Sequence, residues 1–476
     1  MSIIVDPRII FLGTVMSYLR ARAKLSQLVK VSAPLMLSFL SLVGMMFVDR
    51  LYLSHYSLGA LSATVSAGIL AYGFTFGIET AALIASIFVS QYNGAGEHEK
   101  IGKPVWQMIW FSMFSFVIFI PLGIFAGEYI FTDGALVEDQ RVVFRCIMFL
   151  SPMYSIVSSI QSFYSGRELT KVVTYLSLIG NLVNAVIDPI LIFGIDGIIP
   201  SMGIIGANIA TAIGLVVQIG LLFYLFLSEK NRKQYKTNHW KLDWRYMINC
   251  LRIGMPEAIG VGVEILCWGV FYNMMAKVSQ THVIVVAVAN SIVMLFIFFG
   301  IGLEQGCSVI VGNLIGAKKK DEIKDVFHAG MILISINAIV MIASFFIFKE
   351  FLVDLFFASG DFDSKIGSDF DVNSIAAANS ILKNSFVWIA VYLGIENIRW
   401  LTNGILRAGG DTKFLLIAGV VNILVLMILP AYLLMIIYKM PVVTFFAIWI
   451  FFAIVSSAIS YSRFNQGKWH RLELTK

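Results

Sequence analysis

Three polar side chains lie at helical spacing within one apolar segment near the middle of the chain. Asn181, Asn184 and Asp188 occupy positions i, i+3 and i+7, which places their oxygen atoms on one face of a helix. The next residue, Pro189, cannot donate a backbone hydrogen bond and so frees the carbonyl group of Ala185. Such oxygens bind a cation or water where they line a cavity, or they only hold two helices together. The pattern favours a cation site.

Carboxyl groups interrupt several other apolar segments. A charged side chain at the centre of a bilayer costs about 3 kcal/mol, so each acid must face a cavity, find a partner or carry a proton. Acids held in this way can exchange H+ or Na+, which is the chemistry of ion-coupled transport. The acids within apolar segments are Asp49, Glu79, Asp188, Glu264, Glu304 and Glu396.

The second half of the chain carries its acids at different positions from the first. The residues 241 positions after Asn184 and Asp188, which correspond to them in the second half, are apolar. Glu264 and Glu396 interrupt the seventh and tenth apolar segments instead. A neutral, hydrogen-bonded structural role is an alternative for either acid alone, whereas the pair favours a coupling function. The other deep acids, Glu79, Glu257 and Glu304, are interpreted as structural or gating groups.

Aromatic residues lie close to the second-half acids along the sequence. Trp268, Tyr272 and Trp400 are deep in the same segments as Glu264 and Glu396. An aromatic ring can bind an organic cation through its π face, so these three are candidate substrate-binding residues. Packing against lipid or other helices is the alternative.

The composition decides the class of protein. Hydrophobic residues make up 58% of the 476 residues, charged residues 13%, and the mean hydropathy is +0.84, too apolar for a soluble globule. Apolar runs of about 20 residues, each able to span a bilayer as a helix, recur along the whole length, which a single buried core does not explain. Twelve such segments are centred on Leu40, Ala71, Val117, Ser155, Val183, Val216, Val263, Ile292, Ile336, Ile395, Leu424 and Ile450.

Basic residues alternate between the loops. Lys and Arg gather before the first segment and after each even-numbered one, whereas the other loops are poor in bases or acidic. By the positive-inside rule, the chain crosses the plasma (cytoplasmic) membrane twelve times with both termini in the cytoplasm. The net charge of +6 therefore reflects topology rather than binding to nucleic acid. Residues 1–26 lack the apolar core of a cleavable signal, so the first span is expected to serve as the targeting signal.

The two halves of the chain repeat one pattern. Pro34 matches Pro256 at an offset of 222 residues, and the Gly-Ala pairs at 94–95 and 316–317 share that offset. Asn181 matches Asn422 at an offset of 241, so the second half has a longer outer loop near residues 350–378. Six spans per half make the repeat parallel. The predicted organisation is a cytoplasmic segment (1–29), an N-lobe of helices 1–6 (30–228), a basic cytoplasmic linker (229–247), a C-lobe of helices 7–12 (248–462) and a cytoplasmic tail (463–476).

Five short motifs follow one another along the chain. They are Phe47-Val-Asp49, Gln91-Tyr-Asn-Gly-Ala-Gly96, Asn184-Ala-Val-Ile-Asp188-Pro-Ile-Leu-Ile-Phe-Gly194, Gly206-Ala-Asn-Ile-Ala-Thr211 and Leu406-Arg-Ala-Gly-Gly-Asp-Thr412. In this order and spacing they resemble the multidrug and toxic compound extrusion (MATE) family, within the wider multidrug/oligosaccharidyl-lipid/polysaccharide exporter superfamily. The resemblance covers the chain from about Leu28 to Ser462.

The resemblance implies an all-α integral membrane fold of twelve transmembrane helices. They form two six-helix lobes related by a pseudo-two-fold axis along the membrane normal, and the lobes export bulky organic cations in exchange for H+ or Na+. Glu264 and Glu396 correspond to the C-lobe acid pair of some members, although the second is often aspartate there. The implied N-lobe coupling site, which could hold Na+, consists of Asp49, Asn184, Asp188 and Thr211, with Ala207 and Asn181 beside them.

Arg50 departs from the family pattern. The family usually has a small or hydroxylated residue after the helix 1 aspartate. A guanidinium at this position either pairs with Asp49 or extends to the outer interface.

The sequence leaves two other classes of function to be weighed. A flippase for lipid-linked oligosaccharides or polyprenyl phosphates would need Arg and Lys deep in the lobes, whereas the deep charges are expected to be acids. A membrane-embedded enzyme would need a clustered motif such as His-Glu-x-x-His, and ATP use would need a Walker motif; neither occurs. The chain is therefore predicted to be a monomeric secondary antiporter for multidrug efflux that works by alternating access. It is expected to be no enzyme and to use no cofactor, ATP or nucleic acid, and either H+ or Na+ suits its acids.

Overall fold

Long α-helices make up almost all of the structure. The computed structural model describes residues 7–357, 372–467 and 469. A short linker helix, Glu229–Tyr235, lies between the sixth and seventh long helices. The long helices in the described residues are α1 (Pro7–Tyr56), α2 (Leu58–Gly94, broken at Ile84), α3 (His98–Ile130), α4 (Val137–Ser165), α5 (Thr170–Phe193), α6 (Gly203–Phe226), α7 (Trp244–Val278), α8 (Gln280–Gly316), α9 (Ile323–Phe357), α10 (Val372–Ala408), α11 (Thr412–Ile437) and α12 (Thr444–Asn465).

Most of these helices suit a membrane. Eleven of the described helices are long and apolar enough to cross a bilayer. The remaining one, α10, carries Lys383, Glu396 and Arg399 and packs against α8, α9 and α12 within the bundle. Each of the twelve predicted segment centres falls in a different long helix. The prediction of an all-α membrane fold is therefore confirmed.

The parts of α1 and α7 that precede Pro34 and Pro256 pack into the opposite half of the molecule. Leu28 and Val31 of α1 are buried in a hydrophobic cluster whose other members lie in or beyond α8, α9, α10 and α12. Met247 and Cys250 of α7 are buried in a cluster built from α1 to α6 and the linker helix. The predicted lobe boundaries at residues 30 and 248 thus fall inside continuous helices, and each half contributes a helical segment to the core of the other.

Each crossing helix contains a proline at the crossing point. After Pro34, Leu35 and Leu53 of α1 pack with the first half. After Pro256, Phe271 of α7 packs with the second half. A proline removes one backbone hydrogen bond from a helix interior, so each helix changes partners at a weak point. The repeated prolines seen in the sequence mark these two points.

Glycines let α2 and α8 meet with their backbones in contact where the halves join. A Cβ atom at Gly94 would lie 2.0 Å from the carbonyl oxygen of Asn313, and one at Gly316 would lie 1.9 Å from that of Gln91. Gln91 and Asn313 are themselves 222 residues apart, so the two contacts are equivalent under the internal repeat. We call Gln91, Gly94, Asn313 and Gly316 the interlobe contact.

Side-chain amides reinforce the interlobe contact. The Gln91 amide donates to the carbonyl oxygen of Ala408 at 2.9 Å, and the Asn313 amide donates to that of Gly166 at 2.9 Å. Each bond runs from one half to the end of a helix in the other half. Asn93 adds a third, to the Asn313 side-chain oxygen at 2.7 Å. The halves are therefore held together at the end of the bundle that carries the linker.

The linker is fixed to α3. The indole N–H groups of Trp106 and Trp110 donate to the carbonyl oxygens of Thr237 and Trp240, each at 2.7 Å. Lys103 pairs with Asp243 at 2.8 Å. The Lys103 ammonium, which hydrogen-bonds to Asp243, lowers the pKa of that carboxyl, so the contact is present at neutral pH and weakens as pH falls through the lowered pKa.

Candidate ion and substrate site

Two helices of the first half bring the predicted coupling residues together. Asn184 and Asp188 of α5 are buried, with exposed fractions of 1% and 0%. The Asn184 amide donates to the Thr211 hydroxyl of α6 at 3.2 Å, and that hydroxyl donates to the carbonyl oxygen of Ala207 at 3.0 Å. The spacing of four residues on α5 puts both polar side chains on the face that meets α6.

A second carboxyl group joins this cluster from α1. The side chains of Asp49 and Asp188 lie next to each other, close enough to share a hydrogen bond if one carries a proton. One oxygen of Asp49, one of Asn184 and both of Asp188 are buried and receive no hydrogen bond from the described residues. Buried acceptors without partners are costly, and a proton or a hard monovalent cation would satisfy them. The oxygen chemistry of the cluster fits either exchange ion.

Two of the predicted ligands have other partners. The Asn181 amide donates to Ser41 of α1 at 2.8 Å. The carbonyl oxygen of Ala207 already accepts the Thr211 hydroxyl. Each residue thus uses one of its polar groups to hold neighbouring structure.

A cavity adjoins the cluster. It has a volume of about 130 Å³ and is lined by polar and apolar side chains from α1, α2, α4, α5 and α6 and by Gln305 of α8. Asn184 and Thr211 form part of its wall, whereas Asp49 and Asp188 are not among its lining residues. Glu79, a further wall residue, accepts a hydrogen bond from Ser158 at 2.8 Å. The amide and hydroxyl of Asn184 and Thr211 thus separate the acids from the cavity.

Arg50 lies at the surface of the structure. Its side chain is exposed, and no ion pair joins it to Asp49 within the described part of the chain. The guanidinium therefore leaves the Asp49 carboxyl available to Asp188.

The predicted acid pair of the second half is joined by an arginine. Arg399 of α10 donates from Nε to Oε1 of Glu396 at 2.8 Å, and its Nη2 contacts the same oxygen. The same Nη2 lies 3.2 Å from Oε1 of Glu264 on α7. The two acids are therefore brought together, as predicted, but with a guanidinium between them. We call Glu264, Glu396 and Arg399 the arginine triad.

Sequence reasoning missed the two deep arginines. The expectation that the deep charges are acids is wrong, because Arg399 is only 8% exposed and lies three residues after Glu396 on the same helix. Arg407 pairs with Glu257 and, at 3.0 Å, with Glu304, and its side chain is only 17% exposed. The signal in the sequence was the helical spacing of Arg399 from Glu396. Arg407 thus gives Glu257 and Glu304 an ion-pair partner, in keeping with their interpretation as structural or gating groups.

Arg407→Leu is expected to destabilise the protein strongly. The substitution leaves Glu257 and Glu304 without their shared guanidinium, and removing one partner of a buried ion pair costs about 3–5 kcal/mol. Thermal unfolding of the detergent-purified protein measures the effect as a lowered Tm. Lys233→Leu is the control, because Lys233 pairs with Glu229 at the surface, where the two side chains are 77% and 81% exposed, and surface pairs contribute about 0–1 kcal/mol. Equal Tm losses in the two variants would contradict the role of Arg407.

The three aromatic candidates have different surroundings. Trp268 packs edge-on against Trp449 at 5.4 Å between ring centroids and lies beside Tyr272. The Tyr272 hydroxyl is buried and has no hydrogen-bond partner among the described residues. Trp400 packs so closely on Gly300 that a Cβ there would lie 1.8 Å from the indole. Trp268 and Tyr272 follow Glu264 by one and two turns of α7, whereas Trp400 supports the α8–α10 contact.

Comparison with known sequences connects this architecture to one family. The MatE family model matches residues 33–190 and 264–433. The multidrug resistance protein NorM of Vibrio cholerae is 27% identical over 305 residues, which are 62% of this chain and 66% of that protein, just under two thirds of its length. The probable multidrug resistance protein NorM of Photorhabdus laumondii is 27% identical over 399 residues, 82% of this chain and 83% of that protein.

Solved structures share the fold. The Vibrio cholerae MATE transporter VcmN in its bent form has a TM-score of 0.77 at 17% identity, over 95% of this chain and 98% of that one. The eukaryotic MATE transporter AtDTX14 has a TM-score of 0.79 at 16% identity, over 95% and 98% of the two chains. The predicted fold of twelve transmembrane helices in two lobes is confirmed.

Proposed function

This chain belongs to the MatE family, and from that premise we propose that it is a secondary active multidrug efflux antiporter. It exports organic cations in exchange for H+ or Na+ by alternating access. Relatives named as multidrug resistance proteins support this function. It is a multi-pass membrane protein of a transporter family, and the proposed location is the cytoplasmic membrane, with both termini in the cytoplasm and one chain as the working unit.

One observation carries the coupling mechanism. Asp49 and Asp188 come from different helices, α1 and α5, and their neighbouring carboxyl groups hold buried oxygens that receive no hydrogen bond from the described residues. Binding of one H+ or Na+ between them removes the repulsion of two like charges and ties the two helices together. Release of the ion separates the helices again. The ion thereby biases the equilibrium between outward- and inward-facing states, because it interacts differently with each.

The cavity beside the ion site is the proposed binding site of the substrate, and ion binding changes its wall. Asn184 and Thr211 touch both the ion cluster and the cavity, so a shift of α5 changes the cavity wall. An organic cation in the cavity and an ion on the aspartates then favour different positions of the same helix. Exchange of one for the other follows from that competition. Residues 30–228 and 248–462 serve as the two moving lobes, and the parts of α1 and α7 around Leu28 to Val31 and Met247 to Cys250 move with the opposite lobe.

The flippase alternative gains little from the two deep arginines. A phosphate cargo needs guanidinium groups that are free to bind it. Arg399 and Arg407 are each paired with two glutamates, which leaves both sites with more negative than positive charge. A cationic cargo matches this balance better.

Gradient-driven efflux of ethidium tests the proposal. Purified protein in proteoliposomes is expected to move ethidium against its gradient when an opposing H+ or Na+ gradient is imposed. Imposing the two gradients separately identifies the coupling ion. Liposomes without protein are the control. Failure of both gradients to move ethidium, with the protein folded and correctly inserted, would contradict cation antiport.

A further inference from the structure

With both carboxyl groups ionised, the arginine triad carries one uncompensated negative charge. Glu264 and Glu396 contribute two carboxylates and Arg399 one guanidinium, so a single additional positive charge would balance the group. The neighbouring group of Glu257, Glu304 and Arg407 has the same balance but is more deeply buried, with side chains no more than 17% exposed. A negative site inside an apolar lobe favours the entry of a cation.

The two carboxyl groups hold Arg399 unequally. Glu396 is 4% exposed and binds two nitrogens of the guanidinium through one oxygen. Glu264 has a side chain that is 36% exposed and makes one contact, at 3.2 Å. An incoming cation can therefore reach Glu264 while Arg399 stays on Glu396. Glu264 is the exchangeable member of the triad.

Nearby groups in the triad's surroundings also suit a cation. The second oxygen of Glu396, Oε2, is buried and accepts no hydrogen bond in the described part of the chain, with the Trp400 indole as a neighbour. Trp268 lies one helical turn after Glu264 and presents an indole ring on the same helix face. An unpartnered carboxylate oxygen and an aromatic ring beside an accessible acid are the elements of an organic-cation site.

We propose that Arg399 is a built-in counter-ion that sets the charge of the accepted substrate to one. The Arg399 guanidinium occupies the position that a second cationic group of the substrate would take. A monocation therefore balances the remaining negative charge, whereas the guanidinium repels the second charge of a dication. This proposal rests on cation export as the function and names its substrate class, a singly charged organic cation that binds Glu264. Arg399 acts here as a specificity-determining residue.

The test compares two dyes that share one ring system. Ethidium carries one positive charge and propidium carries two, and their transport is measured in proteoliposomes under the gradient that drives the native chain. The native chain is expected to prefer ethidium. Arg399→Gln, which leaves the triad with two negative charges, is expected to shift the transport ratio toward propidium by about tenfold, the effect of 1.4 kcal/mol. Arg399→Lys keeps the charge and is expected to keep the preference for ethidium.

A charge-balanced double variant makes the test specific. Glu264→Gln alone removes the uncompensated charge, so transport of both dyes is expected to fall about tenfold or more. Combining it with Arg399→Gln restores one net negative charge and is expected to restore ethidium transport, which a purely structural ion pair would not do. Lys233→Gln, at an exposed ion pair outside the triad, controls for loss of one positive charge.

Two outcomes would overturn the proposal. One is an unchanged dye ratio in a folded Arg399→Gln protein. The other is native ethidium transport by Glu264→Gln, which decides the matter if Arg399→Gln does not fold. If the native chain transports neither dye under any gradient, the proposed function fails instead. Ethidium binding to the purified protein without a gradient then still tests the triad, since equal affinity in native and Glu264→Gln protein contradicts it.

Discussion

Asp188→Asn is expected to abolish ion-driven accumulation of ethidium. The asparagine side chain nearly matches the aspartate in size but cannot bind the exchange ion as a carboxylate, so Asp49 loses its partner. Each elementary charge moved through the membrane potential contributes about 2.3 kcal/mol per 100 mV, which corresponds to a roughly fiftyfold substrate gradient. The steady-state ethidium gradient across energised proteoliposomes should therefore collapse by about that factor.

The control for this substitution lies near the end of the same helix. Asp196 is exposed just after α5, and Asp196→Asn changes the same functional group outside the cluster. It should leave the ethidium gradient unchanged. Full transport by folded Asp188→Asn protein would show that another acid binds the coupling ion.

Gly94→Ala is expected to open the interlobe contact. The added methyl group would lie 2.0 Å from the carbonyl oxygen of Asn313, so α2 and α8 must separate. Overpacking of this kind costs about 1–3 kcal/mol, and it acts against the closed arrangement only. A cysteine placed at Ser308, which is buried beside this contact, should become about tenfold more reactive toward a maleimide. Ethidium export should fall in parallel, and Gly316→Ala should behave in the same way.

Gly269→Ala is the matched control for the interlobe glycines. Gly269 also lies in a membrane helix, but a Cβ there meets no other atom within 4 Å. Alanine favours a helix over glycine by about 1 kcal/mol, so this variant should be neutral or slightly more stable. Native maleimide reactivity of the Ser308 cysteine in the Gly94→Ala protein would show that the halves do not depend on this contact for closure.

Much of the first-half site could be predicted because its residues share helices or short motifs. Asn184 and Asp188 are four residues apart on α5, and helical periodicity alone places them on one face. Asp49 and Thr211 required the family resemblance, since no local pattern relates α1 or α6 to α5. The structure brings all four into one cluster, whereas the ion that they bind is still a proposal.

The contacts between distant segments could not be predicted from sequence patterns. The pairing of Arg399 with Glu396 could have been predicted from their spacing of three residues on one helix. It was missed because the basic residues were assigned to loops. The bond between Gln91 and Ala408 joins residues 317 positions apart, and no periodicity reports such a pair. The repeated glycines at 94 and 316 were visible, yet their meaning depends on two backbones that approach each other only in the folded chain.

The segments of α1 and α7 that pack into the opposite half impose an order on biosynthesis. While the ribosome is still adding the second half, Leu28 and Val31 have emerged without the cluster they occupy in the finished protein. The first six helices likewise lack Met247 and Cys250 until the seventh enters the bilayer. Neither half can complete its core alone. Two separately expressed halves should therefore mature only as a pair, and a nascent first half depends on the insertion machinery or chaperones until its partner arrives.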